Sequence, residues 1–314
     1  MAPSSSTRPP AAGRGRGVAS RARCWRLATA LAIGLTQSPW LGKELGHCYA
    51  PTGSVARRAR GSPPAGAMRT VGLLTGVSYV SGLDYYGGIN EKAAKIMPKG
   101  KHMVPNPPMV IVSVDCDEYV DYLERKDEEG VQEYLLKGVQ KLHAMGADFL
   151  VIASNTAHCC YGRVREALPG FPVLHIADTT AQAIRSFGFT KVGLLGTEPT
   201  MRDGSWLKSR LAAHGIEVVV PSSEEDTRRC YDIICQELSY NRMEDSSRQF
   251  FAQLCRSMMV EGAQGVILGC TEIELLVKAK DVPDVPLFCS AELHIRAAAQ
   301  VAAGQSRVED FAPG

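Results

Sequence analysis

The sequence lacks three features: cysteine pairs with the spacing of a zinc site, a long apolar run, and acidic residues near the amino end. Of its ten cysteines, eight follow residue 67; there Cys159 and Cys160 are adjacent, and Cys230 and Cys235 are five apart. None of these spacings is typical of a structural zinc site. A chain of 314 residues can build a core without disulfides. We therefore expect no metal site, free thiols and a reducing compartment.

The first 67 residues differ in composition from the rest. They contain nine Arg and one Lys against a single acid, Glu44. Their longest apolar run, residues 27–35, is well short of the roughly 20 residues that span a bilayer. We predict a leader over 1–67 that targets a plastid or mitochondrion, with a cytoplasmic location otherwise, and no membrane span. A disordered tail is the alternative for this segment.

The remaining chain carries 25 of the 35 basic residues and 32 of the 33 acidic ones. This acidic balance argues against a nucleic-acid partner. Short apolar runs alternate with longer amphipathic stretches, among them a helix predicted over 128–145, and this alternation indicates a parallel sheet covered by helices. The runs lie at 70–75, 109–114, 149–153, 173–176, 191–195, 216–220, 265–269 and 285–288.

Three of these runs recur along the chain in the same order. VGLLTG at Val71 returns as VGLLGT at Val192, and FLVIASNTAH at Phe149 returns as GVILGCTEI at Gly265. PVLHIAD at 172 returns as VPLFCSA at 285. The repeats predict an α/β fold of two similar three-layer lobes, related by a pseudo-twofold axis with the active site between them. The lobes would cover 68–177 and 178–289, with helix 290–303 packing back on the first.

Ser154 and Cys270 occupy equivalent positions in this repeat, each after an apolar strand and before a helix. Ligands of open α/β sheets bind at the carboxyl ends of the strands, so the two residues are expected on opposite sides of one cleft. A strand-to-helix turn favours negative charge, which predicts a stabilised Cys270 thiolate able to act as a base.

The motifs SNTAH and GCTEI, together with LLTGVS, LHIAD and LLGTEPTM in that order, resemble those of the aspartate/glutamate racemases. The likeness extends from Met68 to about residue 303. It implies racemisation without pyridoxal phosphate or another cofactor: one residue removes the α-proton and the opposite residue returns a proton to the other face. Cys270 would be one of these acid/base groups and Ser154 would be the other, acting on aspartate, with glutamate as a second candidate. A homodimer is the assembly common in this family.

The resemblance also implies a set of substrate-binding residues. Asn155 and Thr271 would hold the substrate carboxylate, while Glu272 would position the α-ammonium or cap the following helix. His158 is expected either to orient a ligand or to satisfy a buried backbone group. Further donors would come from Gly76, Ser78, Thr156 and Thr197.

The sequence departs from the family pattern at two points. A Cys commonly stands where Ser154 is, and a hydroxyl is a poor proton shuttle unless it relays a proton or holds a water. Cys159 or Cys160 could replace the missing thiol, although packing inside is the alternative for both. No arginine motif for the side-chain carboxylate is recognisable, so the candidate cations are Arg125, Lys126 and Lys208.

Two other functions stay open on this reading. The single Cys270 could serve a decarboxylase or a cis-trans isomerase of the same superfamily. The chain could instead be a catalytically silent protein that binds an amino acid as a signal.

Overall fold

The computed structural model describes residues 67–100 and 102–313. The predicted leader, with its apolar run at 27–35, lies outside these residues. The described chain contains eight strands: β1 (Val71–Thr75), β2 (Met109–Ser113), β3 (Phe149–Ile152), β4 (Val173–Leu174), β5 (Lys191–Leu195), β6 (Glu217–Val219), β7 (Val266–Leu268) and β8 (Leu287–Cys289).

Eleven α-helices connect and cover the described strands. They are α1 (Tyr79–Ile96), α2 (Cys116–Glu124), α3 (Glu128–Ala144), α4 (Tyr161–Ala167), α5 (Ile176–Ser186), α6 (Glu198–Met201), α7 (Trp206–Ala213), α8 (Glu224–Gln236), α9 (Asp245–Val260), α10 (Thr271–Leu276) and α11 (Ser290–Ala302). Short 3-10 turns lie at Thr156–Cys160, Leu238–Tyr240 and Val308–Phe311.

The strands form two parallel sheets with the same order. The first sheet runs β2-β1-β3-β4 and the second runs β6-β5-β7-β8. Val71 pairs with Phe149 between β1 and β3, and Gly193 pairs with Val266 between the corresponding strands β5 and β7. The three sequence echoes thus fall on β1 and β5, on β3 and β7, and on β4 and β8. The prediction of two similar parallel α/β lobes is confirmed.

Helices cover both faces of the first sheet. On one face, α1 and α11 bury Tyr85, Ile89 and Ile295 against β1 and β3. On the other, α3 buries Leu135 and Leu142 at 0% exposure, as its apolar periodicity predicted. Helix α11 follows the last strand of the second sheet and packs on α1 and α5. The lobe boundaries drawn from the sequence stay a prediction.

Local sequence sets the geometry where β1 leads into α1. Gly76 has φ of +104°, and a Cβ there would lie 2.2 Å from the Val114 carbonyl oxygen, so only glycine fits. Ser78 is the N-cap of α1, and its side chain accepts from the Ser81 N–H at 3.4 Å. These two residues turn the chain from the end of β1 toward the cavity described next.

Candidate active site

A cavity of about 850 Å³ lies where the carboxyl ends of four strands meet. The loops after β1, β3, β5 and β7 all contribute to its wall, so both sheets build it. Eight of the predicted site residues line it: Ser78, Ser154, Asn155, Thr156, Thr197, Cys270, Thr271 and Glu272. The structure therefore brings Ser154 and Cys270 to one cavity.

Ser154 lies between the end of β3 at Ile152 and the 3-10 turn Thr156–Cys160. Its Oγ accepts from the Ala157 N–H at 3.3 Å, which fixes the start of the turn. The side chain is half-buried and lines the cavity. Since Oγ accepts that bond, its own hydrogen is available to a ligand or a water in the cavity.

Cys270 is the N-cap of α10 and is 9% exposed. Its thiol donates to Glu272 Oε2 at 2.9 Å. Burial, and next the negative charge of Glu272, raise the pKa of the Cys270 thiol well above its ordinary value; backbone bonds from Glu272 and Ile273 offset part of this rise. The thiol is therefore protonated at neutral pH.

The prediction of a stabilised Cys270 thiolate is thus contradicted by these surroundings. Helix α10 has only six residues, so the N–H groups at its start contribute little against a buried carboxylate two residues away. Glu272 is 5% exposed, and the same Oε2 also accepts from Thr271 Oγ1 at 2.7 Å. The Glu272 carboxylate therefore accepts hydrogen bonds from the side chains of both residues that precede it, Cys270 and Thr271.

Asn155 links the loop after β3 to the second lobe. Its Nδ2 donates to Ser290 Oγ at 3.0 Å, and that hydroxyl donates to the Leu268 carbonyl at 2.8 Å. Glu274 completes the network, because its Oε1 accepts from the Ala291 N–H at 2.7 Å; burial raises the pKa of Glu274 to about 8. Asn155 Oδ1, buried in the wall, has no partner within the described part of the chain.

The remaining amide oxygen of Asn155 can only accept a hydrogen bond. It therefore suits the α-ammonium of an amino acid better than the carboxylate that we predicted for this residue. Three hydroxyls nearby supply the donors that a carboxylate needs. Thr156, Thr197 and Thr200 lie within 2.9 to 3.3 Å of one another and join the loops after β3 and β5.

Four predicted residues do not line the cavity. Gly76 serves the turn before α1, as described above. Arg125 pairs with Asp121 at 2.8 Å and lies over the Tyr122 ring on the solvent side of α2. Lys208 pairs with Asp203 at 2.5 Å, and Lys126 is exposed beside Arg125. None of these cations is placed to bind a substrate carboxylate.

His158 lies beneath the site and satisfies buried backbone groups. Its Nε2 accepts from the Ile176 N–H at 3.3 Å, so Nδ1 carries the hydrogen and donates to the Ser154 carbonyl at 2.7 Å. The ring packs against His175, Trp206 and His294. Burial lowers the pKa of His158 to about 3. This neutral imidazole supports the Ser154 backbone and does not activate its hydroxyl.

Neither neighbouring thiol replaces the missing cysteine. Cys159 and Cys160 lie in the 3-10 turn outside the cavity wall, and Cys160 is fully buried. Burial raises the pKa of Cys159 to about 12. Both thiols belong to the core beneath the turn.

Two helices that the sequence analysis did not assign to the site form its outer walls. Helix α2 contributes Cys116, Tyr119, Val120, Leu123 and Glu124, and α8 contributes Glu224, Thr227, Arg228, Tyr231, Ile234 and Cys235. Each set recurs at three- and four-residue intervals, which marks one helix face. This periodicity is detectable in the sequence, but it equally predicts a helix face that is buried in the core.

Within residues 67–100 and 102–313, no cluster of three or more His, Cys, Asp or Glu side chains is arranged to hold a metal ion. The helices there are all too short or too polar to cross a membrane.

Comparison with known proteins agrees with this geometry. The model of the Asp/Glu/hydantoin racemase family matches residues 74–298. The chain belongs to this family.

Solved racemase structures are similar over the same region. A Yersinia pestis protein provisionally described as an Asp/Glu racemase is 34% identical, with a TM-score of 0.67; the match covers 75% of this chain and 99% of that one. An aspartate racemase homologue from Pyrococcus horikoshii OT3 is 30% identical, with a TM-score of 0.62, over 75% of this chain and all of that one.

A curated relative is similar over a shorter stretch. The broad specificity amino-acid racemase RacX of Bacillus subtilis is 29% identical over 149 residues, or 48% of this chain. The match spans 63% of that protein's length.

Proposed function

We propose that this racemase-family chain inverts the α-carbon of a free amino acid without pyridoxal phosphate, using Cys270 and Ser154 on opposite faces. The observation that carries the proposal is that both side chains line one cavity, at the ends of the equivalent strands β7 and β3. Inversion requires proton removal on one face and proton return on the other. Two separate groups flanking one substrate supply these steps.

The Cys270–Glu272 pair supplies the basic side of the reaction. An α-ammonium bound beside Glu272 offsets the negative charge of that carboxylate and lowers the pKa of the neighbouring thiol. Glu272 Oε2, already 2.9 Å from Sγ, takes the thiol proton. The resulting thiolate then removes the α-proton and again becomes a thiol.

Ser154 supplies the opposite side. Its hydroxyl, or a water it holds, donates a proton to the far face of the planar carbanion and is reprotonated from solvent. The proton on Glu272 leaves to solvent, so one α-proton is exchanged for one solvent proton. The threonine hydroxyls at Thr156 and Thr197 stabilise the negative charge that develops on the carboxylate.

The test is solvent exchange at the α-carbon. The full chain is incubated in heavy water with a panel of L-amino acids and without pyridoxal phosphate, and α-deuterium and the D-enantiomer are measured. Both should appear, and Cys270→Ala should lower the rate by on the order of a thousandfold. Cys255→Ala is the matched control, since Cys255 is a buried free thiol of α9 that does not line the cavity.

The alternatives predict other outcomes. Release of carbon dioxide from a malonate, or isomerisation of a double bond, without α-exchange would favour the decarboxylase or isomerase function of Cys270. Tight amino-acid binding without any exchange would favour a silent binding protein. Aspartate as the substrate, a homodimer and organelle targeting stay predictions.

A further inference from the structure

Ser290 connects the two strand ends that carry the proposed acid/base groups. It is the first residue of α11 and is 1% exposed. Its Oγ accepts from Asn155 Nδ2 at 3.0 Å and donates to the carbonyl oxygen of Leu268 at 2.8 Å. Asn155 directly follows Ser154 in the chain. Leu268 is the last residue of β7 and precedes Cys270 by two positions. One buried hydroxyl therefore joins the loop after β3 to the end of β7.

The same hydroxyl decides which way the Asn155 amide faces. A serine hydroxyl has one hydrogen to donate, and the carbonyl oxygen of Leu268 can only accept, so the hydrogen of Ser290 points to that carbonyl. Asn155 therefore has to meet Ser290 Oγ with its NH2 group. The reverse orientation would place the amide oxygen against the hydroxyl oxygen with no hydrogen between them. This arrangement leaves Oδ1 for the cavity that Asn155 lines.

Glu274 holds Ser290 in place from the second lobe. Its Oε1 accepts from the Ala291 N–H at 2.7 Å, and its Oε2 accepts from the Glu292 N–H at 3.3 Å. These N–H groups lie in the first turn of α11, whose N-cap residue forms no side-chain capping bond. Because Ser290 belongs to the same turn, the Glu274 carboxyl group fixes the position from which its Oγ meets Asn155.

The free oxygen of Asn155 independently indicates that the amide serves a ligand. Asn155 is 5% exposed, and its Oδ1 has no hydrogen-bond partner among residues 67–100 and 102–313. Leaving a buried amide oxygen unpaired is unfavourable unless a donor binds it. The bond from Nδ2 to Ser290 holds the amide in this orientation before a donor arrives.

We propose that Ser290 is a positioning residue, which holds the Asn155 amide with Oδ1 toward the substrate and ties it to the strand end that precedes Cys270. The inference rests on the proposed function, because Oδ1 would accept from the substrate α-ammonium. Ser290 does not line the cavity, so it acts through Asn155. Without its hydroxyl, the amide is free to turn its NH2 group toward the ammonium, and two donors would then face each other.

A double-mutant cycle tests whether Ser290 acts through Asn155. For the amino acid that exchanges fastest, kcat and KM of α-deuterium incorporation are measured with the full chain in heavy water. Ser290→Ala should raise KM about tenfold, as expected for one hydrogen bond to a charged group, and change kcat less. In the Asn155→Ala chain the same change should have almost no further effect, since the amide that Ser290 orients is gone.

Ser247→Ala is the matched control for this cycle. Ser247 is a buried serine near the start of α9, and its hydroxyl donates to Glu237 Oε2 at 2.6 Å; neither residue lines the cavity. This change should leave KM as it is. An unchanged KM in Ser290→Ala, or an equal rise in KM with and without the Asn155 side chain, would overturn the inference while leaving the proposed function intact.

Absence of exchange with every amino acid would instead overturn the proposed function. The orientation of the amide is then measured without a substrate, by NMR of the full chain. The NH2 signals of Asn155, assigned by their loss in Asn155→Ala, should exchange slowly with solvent in the unaltered chain. In Ser290→Ala they should exchange faster by on the order of tenfold. Rapid exchange in the unaltered chain, or equal exchange in both chains, would overturn the inference.

Discussion

The ends of β3 and β7 are equivalent in topology but unlike in chemistry. After β7, Cys270 donates to a buried carboxylate two residues on, so that end contains a thiol and a base in direct contact. After β3, Ser154 caps a 3-10 turn, and the buried group behind it is the neutral His158, bound through the Ser154 backbone carbonyl. One lobe therefore places a thiol in contact with a carboxylate, and the other places a hydroxyl with no general base beside it.

This asymmetry teaches that a duplicated fold need not carry duplicated chemistry. The two sheets share strand order, and both strand ends line the cavity, so geometry alone suggests equal partners. Proton removal should be efficient from the Cys270 side only. Racemisation should then be faster from the enantiomer whose α-hydrogen faces Cys270, while the equilibrium between enantiomers is unchanged.

Among changes that keep the Cys270 thiol, the largest effect should come from removing the carboxylate beside it. Glu272→Gln takes away a charge that raises the pKa of Cys270, so the thiol should titrate at a lower pH. Exchange should nevertheless fall, by on the order of a hundredfold, because no carboxylate takes the thiol proton. Iodoacetamide alkylation of Cys270 against pH reports the first change and α-deuterium incorporation reports the second.

A rise in exchange together with a lower thiol pKa would contradict this role for Glu272. It would mean that the carboxylate only suppresses the thiolate. Glu237→Gln is the matched control, since Glu237 is partly buried, accepts from Ser247 Oγ and does not line the cavity.

A smaller effect should come from placing the same residue type after β3 and after β7. Ser154→Cys places a thiol opposite Cys270, and a thiol is a better proton shuttle than an alcohol. We expect turnover from the slower enantiomer, which we predict to be the D-enantiomer, to rise by about tenfold. Polarimetry from each pure enantiomer measures the two directions. Unchanged rates in both would show that residue 154 is not an acid/base group.

The smallest effect should be on the stability of the fold, through the buried histidines that lie beneath Ser154. Burial lowers the pKa of His158 to about 3 and that of His294 to about 4. The folded chain thus binds fewer protons than the unfolded chain between pH 6.5 and these values. The free energy of unfolding should fall as pH decreases below 6.5, by up to about 1.4 kcal/mol per pH unit for each histidine.

Urea unfolding at several pH values tests this stability prediction. His158→Asn should reduce the slope of stability against pH, whereas His102→Asn, at an exposed position, should leave it unchanged. Equal slopes in both variants would show that His158 does not contribute to the acid sensitivity.

The sequence predicted the parts of the site that depend on strand order. The echo of FLVIASNTAH in GVILGCTEI located Ser154 and Cys270, because parallel strand ends converge whatever the details of packing. It could not locate the outer wall, since which face of α2 or α8 meets the cavity depends on how the lobes pack. Tyr119 lies in α2 and Arg125 directly follows that helix, yet only Tyr119 lines the cavity.

The Cys270 pKa was mispredicted for a related reason. The strand-to-helix turn was readable in the sequence, and the turn alone favours a thiolate. The orientation of the Glu272 side chain was not readable, because a glutamate at this position can face either the helix or the thiol. The contact between Glu272 and the thiol, which only the structure shows, decides whether the Cys270 pKa is raised or lowered.

The most direct test of two opposed groups is to remove the Ser154 hydroxyl and follow exchange and inversion separately. Ser154→Ala in heavy water should still incorporate α-deuterium into the enantiomer that faces Cys270, yet form almost none of its mirror image. That continuing exchange also shows that the variant is folded. Inversion at the rate of the unaltered chain, or loss of exchange and inversion together in a folded variant, would contradict the account.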